Sequence, residues 1–192
     1  MTEVAYKFHG YAIVSDDDRI ADAAGNMPRS LINASDFARF QRELDRAGTI
    51  VIGRKGHEMH PDRHGRNRIV VSSSSTGIER RADGWWWNPA QASLGEVLMR
   101  AFPRGGIVAV PGGLRVFDLF LEHGYDEFHL TRVRGVRVAG GVPVFSECAD
   151  GRPAEEVLAA HGLVPTPAEV LDANARVAVT VWQRRKPRAG EI

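Results

Sequence analysis

Residues 107–117, Ile-Val-Ala-Val-Pro-Gly-Gly-Leu-Arg-Val-Phe, restrict the folds open to this chain more than any other stretch. Ile107–Val110 is apolar and β-branched, as a buried strand requires; Pro111-Gly112-Gly113 ends it, and Leu114, Phe117 and Leu121 then recur at helical spacing. A strand that passes straight into a helix is the repeating unit of an α/β sheet. The paired glycines permit positive φ and leave backbone bare where a helix start has unpaired N–H groups, conditions suited to phosphate.

The other segments supply more such units. Tyr11–Ser15 reads as a first strand running into the turn-forming Asp16-Asp17-Asp18. Residues 20–32 lack a sustained period and contain Gly25 and Pro28, so they read as a long mobile loop of the kind that carries function. Asn33 or Ser35 caps a helix with Asp36 in its first turn and Phe37, Phe40 and Leu44 as its buried face. Thr49–Ile52 and Arg68–Val71 are strands, and between them lie Gly53-Arg54-Lys55-Gly56 and a segment holding His57, His60 and His64. Pro61 interrupts any helix that could gather those histidines, so no metal is assigned.

Gly84–Trp87 is a short strand whose indoles are assigned to packing, and Asn88-Pro89 reads as the cap of a helix with Leu94, Val97, Leu98 and Ala101 inside. Glu127–Val133 is a further strand, Pro143–Phe145 an extension of the sheet, and a short helix starts near Ala154. Arg176–Arg185 arrives without a crossover helix, so it is expected to be antiparallel, at an edge or in a hairpin. The alternation predicts a three-layer α/β fold: a mainly parallel mixed sheet of about eight strands, helices on both faces and an antiparallel C-terminal edge strand. One domain over 1–192, with a loose tail from about 186, is expected.

The 25 basic and 24 acidic residues nearly cancel, which leaves no general field to attract nucleic acid or an anionic membrane. A small molecule is the expected partner, and a monomer or homodimer the expected assembly. Cys148 stands alone, which excludes an internal disulfide framework and fits the cytoplasm. There is no apolar run of membrane-spanning length and no signal-peptide pattern at the start.

Neither Gly-x-Gly-x-x-Gly nor Gly-Lys-Ser/Thr nor Gly-x-Ser-x-Gly occurs, so the usual dinucleotide, P-loop and hydrolase anchors are missing. Three strand ends remain, at Gly53-Arg54, Ser72-Ser73 and Gly112–Arg115, each with phosphate-compatible groups. Ligands of open α/β sheets bind at such carboxyl ends, and an anionic nucleotide across them is the expectation.

Several pieces then occur in a telling order: Asn26-Met27-Pro28, Asp36-Phe37-Ala38-Arg39-Phe40, Ile50-Val51-Ile52-Gly53-Arg54, Gly65–Ser73, Pro111–Phe117 and Phe128-His129-Leu130-Thr131. In these residues 10–146, and more weakly in the last strand, the chain resembles dihydrofolate reductase. The resemblance implies that family's fold and an NADPH-dependent reduction of a pterin, with 7,8-dihydrofolate first among substrates. It makes Asp36 the acid that hydrogen-bonds the pterin and Thr131 the residue that supports it, as the catalytic pair. Ile13, Phe37, Phe40 and Arg66 join them at the substrate, with Arg66 pairing the glutamate tail of folate. On the cofactor side it places Val14 and Ala21 near the nicotinamide, and Gly112 and Gly113 beside nicotinamide and pyrophosphate. Arg54, Ser73 and Arg115 fall at the 2′-phosphate, with Gly53, Lys55, Gly56, Ser72, Leu114, Val116 and Phe117 around them.

Three departures bear on substrate. The family's tryptophan after Met-Pro is Arg29, the segment from Met27 to Asp36 is longer by about two residues on this alignment, and the threonine that follows Gly-Arg is Gly56. A riboflavin-pathway reductase of a ribosylamino-pyrimidine, which shares the fold, is the alternative enzyme; a cofactor-binding protein without turnover is the alternative outside catalysis.

Overall fold

Residues 4–185 are described by the computed structural model. The chain enters as β1 (Tyr6–Val14), turns through Asp16–Asp18 into the short β2 (Arg19–Ala21), and reaches α1 (Ala34–Arg46). There follow β3 (Thr49–Gly53), α2 (Arg54–Met59), β4 (Arg68–Val71), β5 (Ile78–Arg81), β6 (Gly84–Trp87), α3 (Leu94–Ala101), β7 (Gly106–Gly112), α4 (Leu114–His123) and β8 (Glu127–Val133). β9 (Val142–Pro143), α5 (Ala154–Ala160), β10 (Leu163–Pro165), β11 (Glu169–Asp172) and β12 (Val177–Arg184) complete the described chain.

The sheet has the order β10-β12-β8-β1-β7-β3-β4-β6-β5, with β11 also on β12. The run from β8 to β6 is parallel throughout; β5, β10, β11 and β12 pair antiparallel. The layered α/β expectation holds, with two corrections. The sheet has ten strands and not about eight. The C-terminal strand β12 is antiparallel and forms a hairpin with β11, as one of the two expectations had it, but it is not an edge strand, because β10 and β11 cover its outer side. β10 contains Pro165 and is three residues long, and β5 reads Ile-Glu-Arg-Arg, so both outer strands carry the proline or charge that marks protected edges and hides them from an apolar pattern.

One face carries α1, which sets Phe40 and Leu44 on Tyr11, Ile50, Ile52 and Ala109. The other carries the main core, in which Leu94, Val97 and Leu98 of α3, Val116, Phe117 and Phe120 of α4 and Val157 and Leu158 of α5 meet Val14, Val51, Ile69 and Val108. α3 starts at Ser93, whose hydroxyl accepts from Glu96 N–H while the Glu96 carboxylate accepts from Ser93 N–H. The expected Asn88-Pro89 cap is a turn instead, with the Asn88 amide donating to the carbonyls of Ser73 and Ser75.

Residues 20–32, expected as one long loop, are tied at several points. β2 pairs with β9, which makes Val142–Pro143 part of a separate ribbon and not an extension of the main sheet. Asp22 Oδ1 accepts from Ala24 and Asn26 N–H, and a 3₁₀ turn at Arg29–Leu31 buries Leu31 completely against Val133 and Val177. The tryptophans pack as expected: Trp87 is buried and donates to Ala92 O at 2.8 Å, Trp86 donates to Asp83 Oδ1 at 2.9 Å, and Arg81 lies 4.1 Å over the Trp86 ring. The tail from about 186 lies outside the described residues. No helix among the described residues is long and apolar enough to cross a membrane.

Candidate active site

Asn33 caps α1 through its side-chain oxygen, which accepts from Ser35 and Asp36 N–H at 3.0 and 3.1 Å. That cap fixes Asp36 in the first turn. β8 runs parallel to β1 with Thr131 opposite Ile13, which brings the Thr131 hydroxyl under the helix start. It donates to Asp36 Oδ1 at 2.6 Å across 95 residues of sequence. Burial pushes the Asp36 carboxyl above its ordinary value, while the Thr131 hydroxyl and the nearby Arg39 pull it down without overcoming the desolvation.

The apolar surround expected from Phe37 and Phe40 divides in two. The inward face of α1 follows Asp36, Arg39, Phe40, Glu43 and Leu44, so Phe37, about 100° round from Asp36, is 59% exposed. Phe40 packs on Tyr11 with ring centroids 5.9 Å apart. Arg39, one turn beyond Asp36, was not singled out by the sequence. It donates from Nη2 to His129 Nδ1 at 3.0 Å, and its Nε stands 3.7 Å from Glu169 Oε2. Its position three residues after the acid is the signal that would have found it.

Arg66, in the loop between α2 and β4, reaches the same helix at a point well away from Asp36. Its Nε and Nη2 donate to Asp45 Oδ1 at 3.1 and 2.6 Å and its Nη1 to Gln41 Oε1 at 2.9 Å. Asp45 is about 13 Å along the helix from Asp36 at 1.5 Å per residue. The guanidinium fork is therefore engaged by α1 itself.

On the other side the strand ends align. Ile52 pairs with Gly112, and Gly53 with Val71, so Gly53-Arg54, Ser72-Ser73 and Gly112-Gly113 stand side by side at the carboxyl edge. β7 runs through Pro111 to Gly112, beyond the expected stop. An extra residue on β7 is accommodated between its pairings with Ile50 and Ile52, where Pro111 has no N–H to give. Gly112 (φ 95°) and Gly113 (φ 81°) both have positive φ. A Cβ on Gly112 would stand 2.1 Å from the Phe117 ring, whereas one on Gly113 would meet no atom within 4 Å. Bare backbone thus faces open space at the start of α4.

Arg54, Lys55, Ser73 and Arg115 are exposed around this edge, with Arg54 Nη1 donating to Glu58 at 3.1 Å. Gly56 and Leu114 are half-buried there, Ser72 is buried with its hydroxyl 2.8 Å from that of Ser74, and Val116 and Phe117 belong to the core. Val14 is fully buried at the end of β1, and Ala21 is buried at the end of β2. Open backbone, hydroxyls and cations together fit the phosphates of a dinucleotide. The histidines at 57, 60 and 64 do not gather: His57 is buried, with Nε2 2.9 Å from Asp83 Oδ2 and Nδ1 facing Arg68.

Replacing Thr131 with valine removes the bond to Asp36 at nearly constant shape. The expected result is a loss of about 1.5–3 kcal/mol in urea unfolding, the range for a hydrogen bond to a charged group. The Asp36 carboxyl also rises further, since the lost bond favoured its ionised form.

No protein-family model matches the sequence, and no curated protein matches it significantly. Solved structures do match. A protein from Shewanella sp. PV-4, assigned provisionally to riboflavin biosynthesis, is 19% identical at a TM-score of 0.65, covering 94% of this chain and 99% of its own. Enterococcus faecalis dihydrofolate reductase, complexed with NADP(H), is 16% identical at 0.64, covering 94% and 97%. The Thermotoga maritima diaminohydroxyphosphoribosylaminopyrimidine deaminase/5-amino-6-(5-phosphoribosylamino)uracil reductase is 15% identical at 0.63, covering 94% of this chain and 57% of that one. With this sheet order, this helix placement and these structural matches, the chain has a dihydrofolate reductase-like fold.

Proposed function

We propose that this protein is an NADPH-dependent reductase of a pterin-type ring, with 7,8-dihydrofolate the first substrate to test. The observation that carries the reading is the Asp36–Thr131 pair: a partly desolvated carboxylate fixed by a hydroxyl at 2.6 Å, on a helix start at the carboxyl side of the sheet. A carboxylate so held accepts from the two N–H groups of an amino-pyrimidine edge and orients the ring. Its negative field favours protonation at N5 by water, the step that complements reduction at C6. NADPH, when bound, supplies the hydride.

On the cofactor side, the bare backbone at Gly113 takes the pyrophosphate and Arg54, Ser73 and Arg115 select the 2′-phosphate. Purified protein mixed with dihydrofolate and NADPH is expected to oxidise the cofactor, followed by absorbance; absence of turnover at every pH, with cofactor bound, rejects this substrate. NADPH affinity is expected to fall about tenfold in Gly113→Ala, from crowding at a backbone contact and the cost of positive φ. Unchanged affinity by fluorescence titration would remove Gly113 from the cradle.

One observation favours a second reading. The Arg66 fork is held by Asp45 and Gln41, and a folate glutamate would have to displace them. A ribosylamino-pyrimidine has no such tail and calls for no such arginine. Oxidation of NADPH with that substrate, together with indifference to diaminopyrimidine antifolates, would select it.

A further inference from the structure

On the α1 face of the sheet, β1 carries His9 and Tyr11 and the neighbouring β8 carries Glu127, His129 and Thr131, with His9 opposite Glu127 and Tyr11 opposite His129. This alternation brings the imidazole of His9 to the carboxylate and imidazole of Glu127 and His129, 118 and 120 positions further along the sequence. Both histidines are buried and Glu127 is half-buried. Glu127 Oε2 stands 3.2 Å from His129 Nε2 and 3.8 Å from His9 Nδ1, and the three donor atoms lie within 4.8 Å of one another. The longer distance is beyond hydrogen-bond reach.

A tetrahedral ion with bonds of 2.0–2.2 Å holds its ligands about 3.4 Å apart. The two carboxylate–imidazole distances, 3.2 and 3.8 Å, lie within a few tenths of an ångström of that, and the two imidazoles, within 4.8 Å of each other, close the remaining gap by side-chain rotation. We propose that His9, Glu127 and His129 form a two-histidine, one-carboxylate site for a divalent transition ion such as zinc. Imidazole and carboxylate donors suit such an ion, and three protein ligands leave a position for water. Glu43 and Asp126 add negative charge nearby, while Arg39 and Arg46 oppose it.

Arg39 is the group that must give way. It donates to His129 Nδ1, which leaves the ring proton on Nε2, where the ion would bind. On binding, that proton is exchanged to Nδ1, no net proton is released from the ring, and Arg39 turns to Glu169, already 3.7 Å from its Nε. Glu127 Oε1 keeps its bond from Gln183 Nε2 at 3.2 Å, which orients the carboxylate from the next strand.

The test titrates tag-free protein with cobalt(II), read by visible d–d absorption, and with zinc, read by calorimetry. The expected result is one equivalent of each, with zinc displacing cobalt and affinity falling at least about tenfold in His9→Gln and in Glu127→Gln. A His60→Ala/His64→Ala variant keeps full affinity, because those loop histidines lie outside the site. X-ray absorption on the wild-type zinc complex reports two imidazoles and an oxygen ligand, a readout that stands should a variant fail to fold. No stoichiometric binding, equal binding by His9→Gln, or loss confined to the loop variant overturns the proposal.

Discussion

Under the proposed function, replacing Asp36 with asparagine is expected to lower turnover by about 10²–10⁴-fold, the range for a positioned group that assists proton transfer. Asparagine keeps the size of the side chain and an oxygen for the Thr131 hydroxyl, so what is lost is the charge. NADPH affinity is expected to remain at its wild-type value, because the phosphate-compatible edge is built from β3, β4 and β7 and not from α1. Stability moves the other way. Burial holds the Asp36 carboxyl above its ordinary value, so its ionisation penalises the folded state. Whatever stability the neutral acid contributes is fully present below the unfolded-state pKa and is lost as pH rises through the folded one. At neutral pH the wild type bears that cost and the asparagine variant does not, so its melting temperature should not drop. A variant that loses activity and stability together, or one that turns over normally, would rule out this role for Asp36.

The largest stability effect is expected at Arg132 on β8. This buried guanidinium donates to Asp18 Oδ1 at 2.7 Å, Glu155 Oε1 at 2.6 Å and Ser15 O at 2.7 Å. It joins β8, the turn after β1 and the first turn of α5. Asp18 is itself buried, with φ 59°, and burial pushes its carboxyl up even with the arginine present. Arg132→Met strands that charge, and the expected loss is about 3–5 kcal/mol, read as a lower urea midpoint at unchanged slope. Adding Asp18→Asn should recover part of it. Acidification should also narrow the gap to wild type, because Asp18 is neutral below its raised folded value and its stranded charge disappears. An Arg132→Met variant as stable as wild type, or a double variant no better than the single, would contradict the account.

What the sequence made legible follows from what each element buries. Arg68–Val71 lies between two parallel neighbours and Glu127–Val133 between a parallel and an antiparallel one, so both are covered on either side and their boundaries match the pattern of apolar residues. α4 follows from the Gly-Gly start and the Leu114, Phe117, Leu121 spacing. β5, β10 and β11 escaped because edge strands bury little and carry Glu79, Arg80, Pro165 and Glu169 where a pattern would want apolar residues. Ser93 was passed over as a cap although Glu96, three residues on, completes its box. At the site, the meeting of Asp36 and Thr131 came from resemblance, since nothing local in Phe-His-Leu-Thr shows which helix lies above it. Arg39–His129 and the His9, Glu127, His129 cluster depend on the register of β1 against β8, which alternation within either strand cannot supply.

The placement of β1 between β7 and β8 also dictates an order of assembly. Both of its neighbours are separated from it by about a hundred residues. During synthesis on the ribosome, the segment carrying Tyr6–Val14 therefore emerges long before either neighbour in the sheet: one side waits for Gly112 to leave the exit tunnel and the other for Val133. Loop closure on that scale slows folding and lengthens exposure of an apolar, unpaired strand, so the nascent chain presents chaperones with its central element first and its partners last.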